Sequence, residues 1–309
     1  MSIKIGTRGS KLALYQAELV RAKLKGLFPL LEFEFVKIRT KGDMIRRAAI
    51  GSLGVGVFTR EIENALLENK IDIAVHSAKD LATALPNGLE ITAALDREDP
   101  RDCLVARGSR TLRGLAAHAR IGTGSLRRQA QLKKLRPDLE IVEMRGNVDT
   151  RLKKIQEGEY DGMVIAYAGL KRLGQTNFVT EIFDTDTMLP QAGQGIIAVQ
   201  VRSSDSKIRE LIRPLNHLTT FTQLSAERSF LRRIEGGCRV PAGISSKIEG
   251  DSLKLKGAIF SLTGDRAVVD TAAGSVSEAE KIGLALADKL LASGGAEILK
   301  EIRNANGNS

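Results

Sequence analysis

The feature that most constrains this chain is an alternation of segment types that persists from its start to about residue 201. Residues 3–7 read as a strand, Ser10 as an N-cap, and the following stretch as a helix running to about Leu27. Residues 33–39 are β-rich, 58–69 are helical in pattern and 71–75 form a short apolar run. A polar break, Asp96-Arg-Glu-Asp-Pro-Arg-Asp102, separates this from a second set. There, strands at 121–124, 140–144 and 162–166 each lead into a helical stretch, at 125–135, 147–156 and 168–173. Strands alternating with helices predict mainly parallel α/β sheets. The last third differs: a long helix at 219–233, hairpin-like runs around Gly250-Asp251 and Gly264-Asp265, and helices near 277–291 and 296–302. That pattern predicts a smaller α+β domain. At 309 residues the chain is too long for one ordinary core, in keeping with several domains.

Composition narrows the function. The net charge of +10 points to anionic partners: nucleic acid, a membrane surface or an acidic small molecule. From Arg120 to Ile155 ten Lys/Arg face four acids, and several of the arginines sit beside Gly, Ser, Thr or Asn in turn-like settings rather than along one helical stripe. Aromatics are only 4% and Trp is absent, a poor supply of rings for stacking single-stranded bases. Two cysteines, Cys103 and Cys238, make neither a disulfide framework nor a four-cysteine zinc site, and three histidines without a His-Glu-x-x-His motif give no metal expectation. With no apolar run of signal-peptide or membrane-span length, the chain is expected to be cytoplasmic and reduced.

Three constellations carry chemistry. The first, His76-Ser77-Ala78-Lys79-Asp80, follows an apolar strand, where α/β sheets place their sites. Asp80 reads either as a catalytic carboxylate or, with Ser77, as a cap of the next element. The second is arginine at the starts of helices: Arg127 and Arg128 after Thr123-Gly124-Ser125, then Arg145 and Arg151 at the next helix, with Arg8 at the end of the first strand. A helix N-terminus favours an anion, and guanidinium forks match carboxylates. The third is Gly236-Gly237-Cys238-Arg239, which reads either as a buried structural cysteine or as a functional thiol, the glycines keeping bulk away from it and Arg239 favouring thiolate. Cys103, in an apolar run, reads as core.

Together, Val75-His-Ser-Ala-Lys-Asp80, Gly122-Thr-Gly-Ser-Leu-Arg-Arg-Gln129, Arg145-Gly-Asn-Val-Asp-Thr-Arg151, Leu189-Pro-Gln-Ala-Gly-Gln-Gly195 and Ala226-Glu-Arg-Ser-Phe-Leu231 with Gly236-Gly-Cys238 resemble the porphobilinogen deaminase (hydroxymethylbilane synthase) family, in order over nearly the whole chain. The resemblance implies a transferase of tetrapyrrole (heme, porphyrin) biosynthesis. It joins four porphobilinogen units head to tail, with loss of ammonia, on a covalent dipyrromethane cofactor. It further implies the cofactor on Cys238, catalysis by Asp80, and cofactor or substrate binding by Arg8, Arg127, Arg128, Arg145, Arg151 and Arg172. Ser10, Ser77, Lys79, Thr123, Ser125 and Gln194 match further binding positions. The implied fold is two periplasmic-binding-protein-like α/β domains around a cleft plus a smaller C-terminal α+β domain. On this chain that is 1–95 with 196–213, then 96–195, then 214–309, in a cytoplasmic monomer without nucleic-acid or membrane partners.

The residues give that resemblance a physical reason. Each pyrrole brings an acetate and a propionate, so a growing polyanion needs many fixed cations. Loss of ammonia leaves a cationic azafulvene-like electrophile, which an ionised Asp80 would stabilise. The sequence departs from the family pattern at Val55 and Gly51, where lysines are usual, at Ala82, usually proline, and at Gly124, usually serine. Two other readings fit parts of the sequence. A non-enzymatic binder of small anions explains the arginines and leaves Cys238 idle. A nucleic-acid binder explains the charge alone.

Overall fold

The computed structural model describes residues 2–40, 59–234 and 240–307. Cys238, Gly51 and Val55 lie outside them. The chain divides into two compact units, residues 1–98 with 195–224 and residues 99–194 with 225–309.

The first unit is built on a five-stranded sheet of β1 (Ser2–Thr7), β2 (Glu32–Lys37), β3 (Ile73–Ser77), β4 (Leu89–Ala94) and β10 (Ile197–Arg202), in the order β2-β1-β3-β10-β4. Helix α1 (Lys11–Leu27) starts where the sequence places it: the Ser10 hydroxyl accepts the Ala13 N–H at 3.3 Å. Its Ala17, Val20 and Leu24 recur at helical spacing and pack on Ile5, Ile73, Val75 and Val199. Helix α2 (Arg60–Leu67) covers the opposite face, where Ile62 and Leu66 meet Ile71 and Ala74. β1, β2 and β3 are parallel, but β10 runs antiparallel to both β3 and β4, so the sheet is mixed rather than mainly parallel.

The second unit repeats that plan. Its strands β5 (Asp102–Ala106), β6 (Arg120–Gly122), β7 (Glu140–Val142), β8 (Gly162–Ala166) and β9 (Glu181–Ile182) form the order β7-β6-β8-β5-β9. Again three strands are parallel, and the fourth, β5, is antiparallel to β8 and β9. Helices α3 (Leu126–Leu135), α4 (Val148–Gln156) and α5 (Tyr167–Arg172) follow the three parallel strands. In the first unit α6 (Ser206–Ile212) follows β10, and α7 (Leu218–Arg233) comes next in the chain.

The C-terminal part is an antiparallel sheet of β11 (Ala242–Glu249), β12 (Ser252–Phe260) and β13 (Ala267–Ser275) with α8 (Ala279–Leu290) and α9 (Ala296–Gly307). Both hairpins turn where the sequence predicts, on Gly250 and Gly264, whose φ of +60° and +79° glycine adopts without strain. Phe230, Leu253, Leu255, Leu286 and Leu290 form its core. Ala130 of α3 packs on Ala258 and Phe260, so this sheet belongs to the same unit as β5–β9. The architecture is therefore two α/β layers and a smaller α+β part, as the sequence implies.

Candidate active site

In the first unit β1 and β3 are parallel neighbours, so the residues that follow them emerge at one sheet edge. After β1 come Arg8, half-buried, and Ser10, whose hydroxyl is spent on the α1 cap. At the end of β3 the Ser77 hydroxyl pairs with buried Gln16 at 2.9 Å. Ala78–Asp80 then form a single 3₁₀ turn, pinned by the Ala78 N–H to the Ile196 carbonyl at 2.9 Å. Ala78 and Leu81 pack with Leu224 beneath it. Ser77 makes no capping bond, and Asp80 is the last residue of the turn. Among the described residues nothing hydrogen-bonds or ion-pairs with the half-buried Asp80 carboxylate, so neither residue acts as a cap. Lys79 beside it is likewise half-buried.

In the second unit the parallel strands β6, β7 and β8 again deliver their following residues to one edge. β6 runs into Thr123, fully buried, and Ser125, the N-cap position of α3. Arg127 and Arg128, in the first turn of α3, do not lie on the surface: they are 3% and 6% exposed. Their counter-charge is Asp102 at the start of β5. Its Oδ1 accepts Arg128 Nε and Nη2 at 3.0 and 2.7 Å, and its Oδ2 lies 2.7 Å from Arg127 Nη1. Gln194 completes the cage, donating to Asp102 Oδ1 at 2.9 Å and to the Pro100 carbonyl at 2.7 Å, and accepting Arg128 Nη2 at 3.3 Å. Arg127 also donates to the Leu189 carbonyl, yet its Nε and Nη2 are buried with no hydrogen-bond partner among the described residues.

Burial alone would raise the Asp102 pKa. Arg127 and Arg128 overturn that and hold the carboxyl well below the usual carboxylate range. Burial also lowers the Arg127 pKa, with Asp102 opposing it. Among the described residues these two guanidiniums share one carboxylate, which leaves one positive charge in excess. An excess buried cation with unpartnered N–H groups is costly unless an anion completes it, and a carboxylate of a pyrrole cofactor fits that need.

The remaining arginines are more open, Arg145 between β7 and α4, Arg151 in the first turns of α4 and Arg172 at the end of α5. Arg145 pairs with Glu143 at 2.5 Å with 38% of its side chain exposed. Arg151 donates Nε to the Gly146 carbonyl at 2.7 Å, and Arg172 closes α5, half-buried. Asn147 caps α4 by accepting the Thr150 N–H at 3.0 Å. Gly124, where a serine side chain would start 3.3 Å from the Met144 carbonyl, is exposed. Cys103 is fully buried; burial first, then Asp102, push its thiol up to about 12.

Two residues escaped the sequence reading. Asp102 stood at the end of what reads as a polar linker; its only signal is an acid directly before the apolar run Cys103-Leu-Val-Ala106. Glu227, inside a quoted motif but given no role, is fully buried on α7. It accepts the Gly193 N–H at 2.7 Å and the Ser246 hydroxyl at 2.5 Å, fixing the segment that presents Gln194.

Fold and site together define an α/β enzyme equipped for a substrate rich in carboxylates. The model of the porphobilinogen deaminase dipyromethane cofactor binding domain matches residues 3–210, and that of the porphobilinogen deaminase C-terminal domain matches residues 221–292. The porphobilinogen deaminase of Geobacter sulfurreducens is 48% identical over 301 residues, covering 97% of this chain and 94% of its own. That of Carboxydothermus hydrogenoformans is 45% identical over 300 residues, covering 97% and 96%. Among solved structures, the methionine-binding protein MetQ aligns with 69% of this chain and 89% of its own, at 12% identity and a TM-score of 0.47. The chain belongs to the porphobilinogen deaminase family. Its reaction is the head-to-tail joining of four porphobilinogen units, with loss of ammonia, on a dipyrromethane primer, releasing hydroxymethylbilane for tetrapyrrole biosynthesis.

Proposed function

We propose that this chain runs that reaction with Asp80 as the catalytic carboxylate, Cys238 as the attachment point of dipyrromethane, and the strand-end arginines as its carboxylate ligands. The observation that carries this reading is the buried pair Arg127–Arg128, which among the described residues shares one counter-ion and leaves Arg127 N–H groups without a partner. When bound, dipyrromethane supplies a covalently tethered pyrrole on which the chain is built. Arg127 and Arg128 hold its carboxylates, with Thr123, Ser125, Ser77 and Lys79 contributing polar contacts and Gln194 orienting Arg128. Arg8, Ser10, Arg145, Arg151, Arg172 and Gln194 serve the carboxylates of incoming porphobilinogen.

Asp80 accepts a hydrogen bond from the substrate pyrrole N–H. It also holds a negative charge beside the cation left when the aminomethyl group departs as ammonia. That no described residue hydrogen-bonds or ion-pairs with it supports this, because a carboxylate already paired would offer less to the substrate. Cys103 is buried and its thiol is pushed up to about 12, which supports Cys238 as the sulfur in use. We take residues 1–95 with 196–213, 96–195 and 214–309 as the working domains, each containing one of the three sheets. The cysteine usage supports a reduced, cytoplasmic setting, and we take the chain as a monomer.

Intact-protein mass before and after adding porphobilinogen, followed by peptide mapping, tests the proposal. The expected result is a gain of two porphobilinogen units less two ammonia, located on Cys238. An adduct on Cys103, or fully active protein with unmodified Cys238, overturns it.

A further inference from the structure

A buried polar row in the first unit has no part in the chemistry above. Side chains alternate along a strand, so Ile5, Thr7, Val75 and Ser77 face α1 while Gly6, Ala74 and His76 face α2. Gly6 pairs with Ala74 across β1 and β3. Two residues further on, the same alternation carries Arg8 to the side of His76, where its positive charge opposes protonation of the imidazole to a lesser degree than burial does. On the other flank Ala198 lies opposite His76 and Gln200 opposite Ala74. Both alanines are fully buried and small, which leaves the diagonal open: His76 Nε2 meets Gln200 Oε1 at 3.0 Å. Gln200 Nε2 donates to Glu63 Oε1 at 3.2 Å, and Thr59 Oγ1 donates to Glu63 Oε2 at 3.3 Å. All four side chains are at most 5% exposed.

A carboxylate only accepts, so Glu63 sets every proton in the row. Gln200 turns its NH₂ to Glu63 and therefore its carbonyl to His76. The imidazole must then carry its proton on Nε2, which leaves Nδ1 as an acceptor. Burial lowers the His76 pKa to about 4; the Gln200 bond pulls the other way and Arg8 adds to the lowering. Among the described residues the charged groups around the ring are thus Arg8 from the β1 side and, through Gln200, Glu63 from α2.

We propose that His76 is a positioning residue: the Thr59–Glu63–Gln200 relay locks it as the neutral Nε2–H tautomer, whose bare Nδ1 steadies the Arg8 guanidinium for a substrate carboxylate. This rests on the reading of Arg8 as a substrate ligand. With only three histidines in the chain, ¹⁵N-histidine labelling of the full-length enzyme reads the tautomer directly. His76 is expected to show a protonated Nε2 and bare Nδ1 from pH 8 to 5.5. Gln200→Leu, which keeps His76, should mix the tautomers and raise KM for porphobilinogen. His76→Leu should raise KM about tenfold, the scale of one hydrogen bond to a charged group, with kcat changed little. His76→Gln, a neutral acceptor, should recover part of the loss. On an Arg8→Ala background His76→Leu should add nothing.

The outcomes separate the two claims. If Arg8→Ala leaves KM unchanged, the reading of Arg8 fails. If Arg8→Ala raises KM but His76→Leu does not, or their effects multiply, the positioning role fails. A proton on Nδ1, or titration near pH 6.5, overturns the relay. Should His76→Leu not fold, Gln200→Leu decides alone: an unmixed tautomer with unchanged KM contradicts the proposal.

Discussion

Asp80 and Asp102 each stand beside a parallel-strand edge of a sheet with the same strand plan, and they are used in opposite ways. Asp102 is fully buried and spent: two arginines and Gln194 occupy it. Asp80 is half-buried on a single 3₁₀ turn, and nothing among the described residues engages it. The paired carboxylate fixes cations in place and keeps its own charge there. The unpaired one keeps its charge for whatever enters. Asp102 should therefore matter first to folding and cofactor retention, and Asp80 to turnover.

The sharpest attempt to break that contrast is Asp102→Asn. It keeps the size but leaves two buried guanidiniums without a counter-ion, so chemical denaturation should show a loss of about 3–5 kcal/mol. A loss below about 1 kcal/mol would mean the cage carries little. Next, Arg127→Ala and Arg128→Ala should give soluble protein that fails to load cofactor, with about 2–5 kcal/mol of interaction lost and only partial rescue by lysine, which lacks the fork. Full activity in both alanine variants would remove the cage from the site.

Acid should act on the same contrast more gently. His76 is depressed to about 4 in the folded protein, against an ordinary 6.5. Below pH 6.5 the unfolded chain takes up a proton that the folded one refuses, so stability is present above that pH and falls as pH drops towards 4. The loss is roughly 1–2 kcal/mol by pH 5. The lowered carboxyl of Asp102 adds a second loss below about pH 4, because the unfolded chain again binds the proton first. Urea titrations at pH 7 and 5 measure the first, and His76→Leu should flatten it. The smallest effect belongs to Arg145→Ala. Its exposed pair with Glu143 should cost less than about 1 kcal/mol of stability while KM for porphobilinogen rises. An equal loss of stability to that of Arg127→Ala would erase the distinction between caged and open arginines.

Much of this was legible in the sequence because the signals are local. Ser10 announces a helix start by residue type and makes the expected capping bond, and the helix read from residue 147 does begin there, with Asn147 as its cap. The strand ends bearing Arg8, Asp80, Arg127 and Arg145 follow from apolar runs that stop at Gly, Ser and Thr. What was not legible is non-local. The antiparallel direction of β5 and β10 depends on how distant segments return to each sheet, which no pattern within Cys103-Leu-Val-Ala106 or Ile196–Val201 reveals. Arg127 and Arg128 read as anion ligands at a helix start, but their burial against Asp102 depends on a residue from another strand that no local pattern connects to them. Glu63 and Gln200 are single polar residues on otherwise apolar faces, and only the diagonal left by Ala74 and Ala198 makes them partners.

The central claim is that Asp80 contributes its charge to the reaction rather than to the fold. Single-turnover ammonia release from cofactor-loaded Asp80→Asn, with circular dichroism to confirm the fold, measures it most directly. The account predicts unchanged structure and release slowed by about two orders of magnitude or more, the scale of losing a preorganised electrostatic group. Near-normal release from correctly folded, loaded protein would contradict it.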